Sequence, residues 1–232
     1  MSKPKIIISK DGPYIVSGNV PLNKEIAETG KEDEPEKWTE TEKYPNKETY
    51  ALCRCGNSKN MPFCDGTHVK TGFDGTETAS TKPFLEQART FEGHDIILKD
   101  AVDLCSVARF CHPKTGTWKL VVKSKKPEAK QEAIRQACSC PAGRLVIYDK
   151  KTGEPIENKY EPSITVTEDP QAECSGPLWV KGGIEIESES GKKYEPRNRM
   201  ALCRCGNSNN KPFCDGAHLT VNFDDGDKSV KK

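Results

Sequence analysis

Residues 51–68 read ALCRCGNSKNMPFCDGTH, and residues 201–218 read ALCRCGNSNNKPFCDGAH. Each stretch offers three thiols and one imidazole at C-x-C-x8-C-x3-H spacing, so Cys53, Cys55, Cys64 and His68 can converge on one metal centre, and Cys203, Cys205, Cys214 and His218 on another. The residues between these ligands have physical tasks of their own. Cys-Arg-Cys is too tight for a helix face and reads as extended or turning chain, which Gly56, Asn57 and Ser58 continue. Pro62 and Pro212 stiffen the approach to the third cysteine. Asp65 and Asp215 stand where a short helix would begin and are expected to cap it. Gly66 and Gly216 let the backbone pass close to the metal centre, and the histidines follow the third cysteine at i+4, on one face of a helical turn.

Zinc accepts three cysteines and a histidine, but its thiolates usually come as C-x2-4-C knuckles. Two cysteines one residue apart suit two sulfurs on one iron of a diiron cluster, the other iron taking Cys64 and His68; structural zinc is the alternative. The whole pattern, C-x-C-x2-[ST]-x3-P-x-C-D-G-[STA]-H, is met by Ser58, Pro62 and Thr67 in one stretch and by Ser208, Pro212 and Ala217 in the other. It resembles the signature of the CDGSH iron–sulfur (NEET) proteins. That resemblance implies a 2Fe-2S cluster in each stretch, two in all, held by three Cys and one His. In the family's dimers two such units meet through shared β-structure beside their clusters. Two units in one chain then imply an intramolecular pseudo-dimer with an internal pseudo-two-fold, for which a monomer suffices.

Composition sets wider bounds. The chain has 232 residues, of which 34% are hydrophobic, 31% charged and 7% aromatic, thin material for one large core. Small modules held by inorganic clusters suit that composition, because metal binding supplies folding free energy that a small core lacks. A net charge of +1 with no concentrated basic face argues against nucleic acid as a partner. The opening MSKPKIIISKDG lacks a signal-peptide pattern, and no apolar run approaches the roughly 18 residues of a membrane span. The expectation is a protein without a membrane partner in a reducing compartment, where the eleven cysteines are metal ligands before they are disulfides. Mitochondrial NEET proteins carry a targeting segment or membrane anchor, so the resemblance implies a prokaryotic cytoplasm for a chain that shows neither pattern.

GPYIVSGNVPL before the first motif and GPLWVKGGIEI, from 176 to 186, repeat one design: Gly-Pro, a strand, a polar insert, and a second strand ending in Ala-Leu. The first insert, residues 23–48, is rich in charge and reads as a solvated loop. Phe73 and Phe223, five residues beyond each histidine, read as packing residues. Between about 80 and 169 the composition changes. HDIILKD reads as a strand, AVDLCSVARFCHP as a ligand loop with a short helix, TWKLVV as a strand, residues 128–137 as a helix, and CPAGRLVIYD as a closing strand. This order resembles a single-cluster ferredoxin, with Cys105, Cys111 and Cys140 at three of its ligand positions and Ala108 at the fourth. The resemblance implies a 3Fe-4S cluster, or a 4Fe-4S cluster with a ligand from elsewhere. Cys138 is the nearest substitute, with Cys174 and His112 behind it. The alternative is no cluster, or zinc on Cys105, Cys111, Cys138 and Cys140. Cys174 has no repeat partner, since Lys10 aligns with it, and reads as a free thiol. His94 reads as a turn residue, Trp118 and Trp179 as strand packing, and Lys231 and Lys232 as a frayed end.

The expected fold is therefore α+β: two small β-rich CDGSH modules, residues 1–80 and 171–232, around an inserted ferredoxin-like α+β domain, residues 81–170. No nucleophile–base pair or Gly-rich phosphate loop points to an enzyme. The sites suggest single-electron transfer with redox partner proteins, or storage of 2Fe-2S clusters and their transfer to acceptor apo-proteins. Replacing one thiolate by a neutral imidazole raises a cluster's potential and gives it an acid-sensitive bond.

Overall fold

In the computed structural model, which describes residues 3–31 and 33–230, the chain runs twice through one five-strand plan. The terminal Lys231 and Lys232 lie outside the described residues. The first pass comprises β1 (Lys5–Ile8), β2 (Tyr14–Ser17), β3 (Leu22–Thr29), β4 (Pro35–Lys43) and β5 (Thr49–Leu52). The first cysteine loop and α1 (Thr67–Thr71) follow, then α2 (Phe84–Gln87). The middle of the chain forms β6 (Arg89–Glu92), β7 (Ile96–Asp100), α3 (Thr117–Val122), α4 (Pro127–Cys138), β8 (Leu145–Asp149) and β9 (Pro155–Ile156). The second pass is β10 (Ser163–Asp169), β11 (Cys174–Lys181), β12 (Glu185–Ser188), β13 (Lys193–Tyr194) and β14 (Arg199–Leu202), with the second cysteine loop and α5 (Ala217–Thr220) after it.

The two passes exchange strands. One sheet has the order β13-β12-β1-β2-β5 and the other β14-β11-β10-β3-β4. β1 runs antiparallel to β2 and parallel to β12, with Ile6 opposite Ile186. β10 likewise runs antiparallel to β11 and parallel to β3, with Ile164 opposite Leu22. The third and fourth strands of each pass thus complete the sheet of the other. Alternation makes this stable: along β1 the side chains of Ile6 and Ile8 are buried while their neighbours are half-exposed. Ile6, Ile8, Val16, Val166, Leu178, Val180, Ile186 and Met200 form one continuous core across both sheets. The repeat therefore begins with β1 and β10, upstream of the Gly-Pro pairs. The stretch 163–169, at the end of the expected middle unit, pairs with β11 and β3.

Residues 23–48 are not a solvated loop. β3 and β4 form a long antiparallel pair held by two ion pairs, Lys24 to Glu42 at 2.7 Å and Lys37 to Glu28 at 2.8 Å, and by the hydrogen bond that Asn23 Nδ2 donates to Glu40 at 2.8 Å. Such cross-strand pairs hold a sheet whose composition looks like a loop. Trp38 on β4 ties this pair to the rest of the molecule. Its ring lies 4.8 Å from that of Phe110 and 5.6 Å from that of Trp179, and its Nε1 donates to the Ser139 carbonyl at 3.0 Å.

The third sheet, β6-β7-β8-β9, carries α3 and α4 on one face over a second core that includes Ile96, Leu98, Leu120, Val121, Ala133, Leu145 and Ile147. TWKLVV, expected as a strand, is the helix α3. Its β-branched composition misleads, and the tertiary partner decides: Thr117, Leu120 and Val121 turn inward at helical spacing, and Thr117 Oγ1 meets Gln136 Oε1 on α4 at 2.7 Å. The helix expected at 128–137 is α4, with Pro127 at its first turn. The ligand loop contains a single 3-10 turn, Val102–Leu104. Among the described residues no helix is long and apolar enough to cross a membrane.

Ile6 sits where strands of the two passes meet and is fully buried. Ile6→Ala should lower unfolding free energy by about 2–5 kcal/mol, read from urea denaturation. Lys5→Ala on the other face of the same strand, which loses a half-exposed ion pair to Glu187, should cost about 1 kcal/mol or less.

Candidate metal centres

Each cysteine loop begins where a strand of its own sheet stops, β5 at Leu52 and β14 at Leu202. Backbone hydrogen bonds then fold the loop back onto the strand. Cys53 N donates to Pro62 O at 2.8 Å and Cys64 N to Ala51 O at 2.9 Å; Cys203 to Pro212 and Cys214 to Ala201 repeat the pair at the same lengths. Ser58 and Ser208 close the loop interior by donating to Phe63 O and Phe213 O. The residues at the head of the short helices are Gly66 and Gly216, in left-handed conformation, so Asp65 and Asp215 do not occupy the expected cap position. They stand one residue earlier and tie two parts of the loop together. Asp65 accepts the N–H groups of Lys59 and Thr67 at 2.8 and 2.9 Å, and Asp215 those of Asn209 and Ala217 at 2.8 and 3.0 Å.

The loops bring the four expected ligands of each motif together in two pairs. Cys53 Sγ and Cys55 Sγ lie 3.7 Å apart, and Cys64 Sγ and His68 Nδ1 3.4 Å; in the second loop Cys203 and Cys205 are 3.6 Å apart and Cys214 and His218 3.3 Å. Metal–sulfur bonds of about 2.3 Å and metal–nitrogen bonds of about 2.0–2.1 Å at tetrahedral angles give edges of about 3.8 Å and about 3.6 Å. Each pair is therefore close to the length of one tetrahedral edge, the Cys–His pairs lying slightly inside it. Among the described residues no three His, Cys, Asp or Glu side chains converge on a single ion. Two separate edges per loop suit a group with two metal atoms better than one zinc.

The protonation chemistry agrees. Burial pushes Cys55 up to about 11 and raises Cys64 and Cys214. Cys203 is pulled down to about 6 by the hydrogen bond from Cys205, helped by nearby backbone N–H groups. Burial, reinforced by Arg204, lowers His218 to about 4, so its imidazole is neutral and available as a ligand at pH 7. Crowded buried thiols that hold protons alone release them to a cation. Gly66 N and Gly216 N each donate to the third cysteine sulfur at 3.4 Å.

The two loops touch at their tips. Cys55 and Cys205 form an antiparallel bridge. A Cβ on Gly56 would lie 2.4 Å from Cys205 O, and one on Gly206 2.5 Å from Cys55 O, both at positive φ. Tyr14 of the first pass reaches the second loop, donating to Cys203 O at 2.8 Å. The arginines between the paired cysteines are buried but differ in partners. Arg54 donates to the carbonyls of Ser9 and Gly75 and faces Phe73. Arg204 faces Phe223 and bridges two buried carboxylates, Glu168 at 2.6 Å and Asp225. One guanidinium balances one carboxylate: Asp225 is held low, although burial opposes it, by Arg204, while burial raises Glu168 to about 7.

In the middle of the chain Cys105, Cys111 and Cys140 line one cavity of about 40 Å³ together with His112, Arg144 and Ala108. Burial, with Cys140 and Cys105 nearby, pushes Cys111 up to about 12. Cys138 falls outside this group: its thiol points to the Ile156 carbonyl, 3.6 Å away. Cys174 is buried in β11, and burial raises it to about 12. His112 Nδ1 stands 3.5 Å from Cys111 Sγ. His94 is exposed and paired with Asp95 at 2.6 Å. Trp118, on a helix, donates to Asp100 at 3.1 Å. Sequence reasoning passed over Arg54, Arg204 and Tyr14; the arginines were visible as the same residue between the paired cysteines of both motifs.

These sites define an iron–sulfur protein of the CDGSH class. Residues 11–69 and 175–219 match the family model described as iron-binding zinc finger, CDGSH type, and residues 91–150 match the one described as divergent 4Fe-4S mono-cluster. No curated protein and no solved structure matches the chain. The chain thus carries two CDGSH regions that flank a divergent mono-cluster region.

Gly206→Ala should cost more than Gly66→Ala, because both sit at positive φ, worth about 1–2 kcal/mol, but only Gly206 faces backbone. Thermal unfolding checks the order. Glu168 keeps its proton to about pH 7 when folded and to its ordinary 4.5 when unfolded. Its contribution to stability is full below pH 4.5 and lost as pH rises to 7, at most about 3 kcal/mol. Glu168→Gln should flatten that part of the stability–pH curve, read from urea midpoints at pH 5 and 8.

Proposed function

We propose that the chain is a single-electron carrier, and not an enzyme, with a 2Fe-2S cluster in each CDGSH loop and a third, ferredoxin-type cluster on Cys105, Cys111 and Cys140. The observation that carries this reading is the twin set of ligand edges, Cys53–Cys55 with Cys64–His68 and Cys203–Cys205 with Cys214–His218, joined back to back at Cys55 and Cys205. Clusters held there would supply one-electron chemistry at potentials raised by the imidazole ligand. The chain's own part is to bury the thiols, hold the neutral imidazoles and donate N–H groups to sulfur. The exchanged strands support an intramolecular pseudo-dimer that works as a monomer, with a ferredoxin-like unit near residues 81–170 between modules near 1–80 and 171–232. Its partners are redox proteins, without nucleic acid or membrane, in the cytoplasm. Of the middle unit's expected span, 163–169 belongs with the second module through β10.

A second reading, storage of 2Fe-2S clusters and their transfer to apo-proteins, is favoured by the half-exposed Cys64 and His68. Purified protein should be red-brown, contain iron and acid-labile sulfide, and bleach with dithionite; colourless, zinc-only protein would end both readings. Rapid movement of the colour to an apo-ferredoxin, blocked by His68→Cys and His218→Cys, would favour transfer over carriage. In Cys111→Ser the signal of the third centre alone should vanish, and a three-iron form of that centre would show in EPR of the oxidised protein.

A further inference from the structure

The two motifs are almost the same text, yet their surroundings differ at the third cysteine, the glycine two residues on and the histidine. Cys64 and His68 are half-exposed and Val69 is exposed, whereas Cys214 and His218 are buried, at 2% and 5% exposure. The difference comes from the middle of the chain. A Cβ on Gly66 would meet nothing within 4 Å, but one on Gly216 would strike Val107 Cγ2 at 2.3 Å. Val107 therefore stands directly over the glycine that follows Cys214 by two residues. It does so in a left-handed conformation, φ 56°, which a β-branched residue rarely adopts, and Arg109 beside it has φ 62°. Backbone held in such a state needs surroundings that over-determine it. Here Arg109 is anchored on both oxygens of Asp169 at 2.9 Å, and Asn210 Nδ2 donates to Asp103 O at 2.7 Å. From the other side Thr78 Oγ1 donates to Asn209 O at 2.6 Å, and the N–H groups of Thr78 and Ala79 to Lys211 O at 2.9 Å. Among the described residues no counterpart of Val107 stands over Gly66, and the first pocket's near neighbour from elsewhere in the chain is Gly12, whose Cβ would lie 3.8 Å from His68 Nε2. On the inner side, Cys140 of the three-thiol cavity and Cys214 share a small apolar cluster with Ala142 and Ala201.

We propose that the segment 103–110 is a fixed cover over the second CDGSH pocket, which makes that pocket an interior station between the three-thiol cavity and the first pocket. The first pocket, opening at Cys64 and His68, is the one that reagents and acceptors from solution reach. The inference rests on the reading of both pockets as iron–sulfur sites, and it divides labour between them: one meets the outside, one does not.

The test uses the full-length protein as purified, with its iron and sulfide first counted. An iron(II) chelator bearing sulfonated phenyl groups is added with a maleimide, and the labelled cysteine peptides are followed by mass spectrometry. Cys64 should be labelled about tenfold or more faster than Cys214, since the covered site must open locally first. Val107→Gly removes the cover's side chain and at the same time relaxes its backbone, so it should speed Cys214 labelling toward the Cys64 rate while the thermal midpoint holds or rises. Equal rates in the wild type, or a Cys214 rate unmoved in Val107→Gly, would overturn the proposal. Val107→Ala is the companion variant should Val107→Gly unfold; it too must speed Cys214. Protein lacking iron and sulfide would defeat the cluster reading, while the labelling ratio would still decide whether the cover exists.

Discussion

Everything in this molecule is arranged around the close approach of two peptide backbones, at Cys55 and Cys205. Cysteines stand on both sides of that contact, and glycines at 56 and 206 let the carbonyls pass where a Cβ would collide. That contact is made at the tips of loops, the parts of a protein least able to hold a geometry alone. Rigidity is supplied from behind, by strands that cross between sheets. β1 lies against β12 and β10 against β3, so the position of one loop is fixed through the hydrogen bonds of the other. Tyr14, rooted in β2 and bonded to the carbonyl of Cys203, does the same at the scale of one side chain.

Near-identity of sequence has not produced identity of environment. Arg54 and Arg204 occupy equivalent places, yet the first is satisfied by neutral carbonyls and the second by two acids, one of which keeps its proton near neutrality. The electrostatic field at the two sulfur pairs therefore differs although the residues at them do not. Solvent adds to the contrast, since the imidazole at 68 is partly wet and the one at 218 is dry. Groups that touch the coordinating side chains, and the local dielectric, tune inorganic centres as much as the coordinating atoms do.

The clustering of Cys53, Cys55, Cys64 and His68, and of their counterparts in the second motif, was legible because it is local: three cysteines, a proline, a glycine and a histidine within eighteen residues mark out one loop. What could not be read was whatever depends on distant partners. Residues 23–48 look like solvated chain until β10 and the cross-strand charge pairs are seen, and TWKLVV looks like a strand until Gln136 is placed opposite Thr117. Cys138 was the nearest thiol in sequence to Cys140, but a position on the last turn of α4 turns it toward Ile156 instead. The exchange of strands was hidden for the same reason, since parallel pairing across more than a hundred residues leaves no mark in either partner's own text.

One feature of the topology bears on how such a chain could arise. The link from the first cysteine loop to β10 must travel from one sheet to the other whatever its length, and the middle segment occupies that journey. A guest inserted there interrupts no strand pairing of the host. The traded strands also mean that neither copy of the repeat owns a complete sheet, so the ancestral duplication is locked: losing either half would strand the other with two open edges and no partner for its own outlying hairpin.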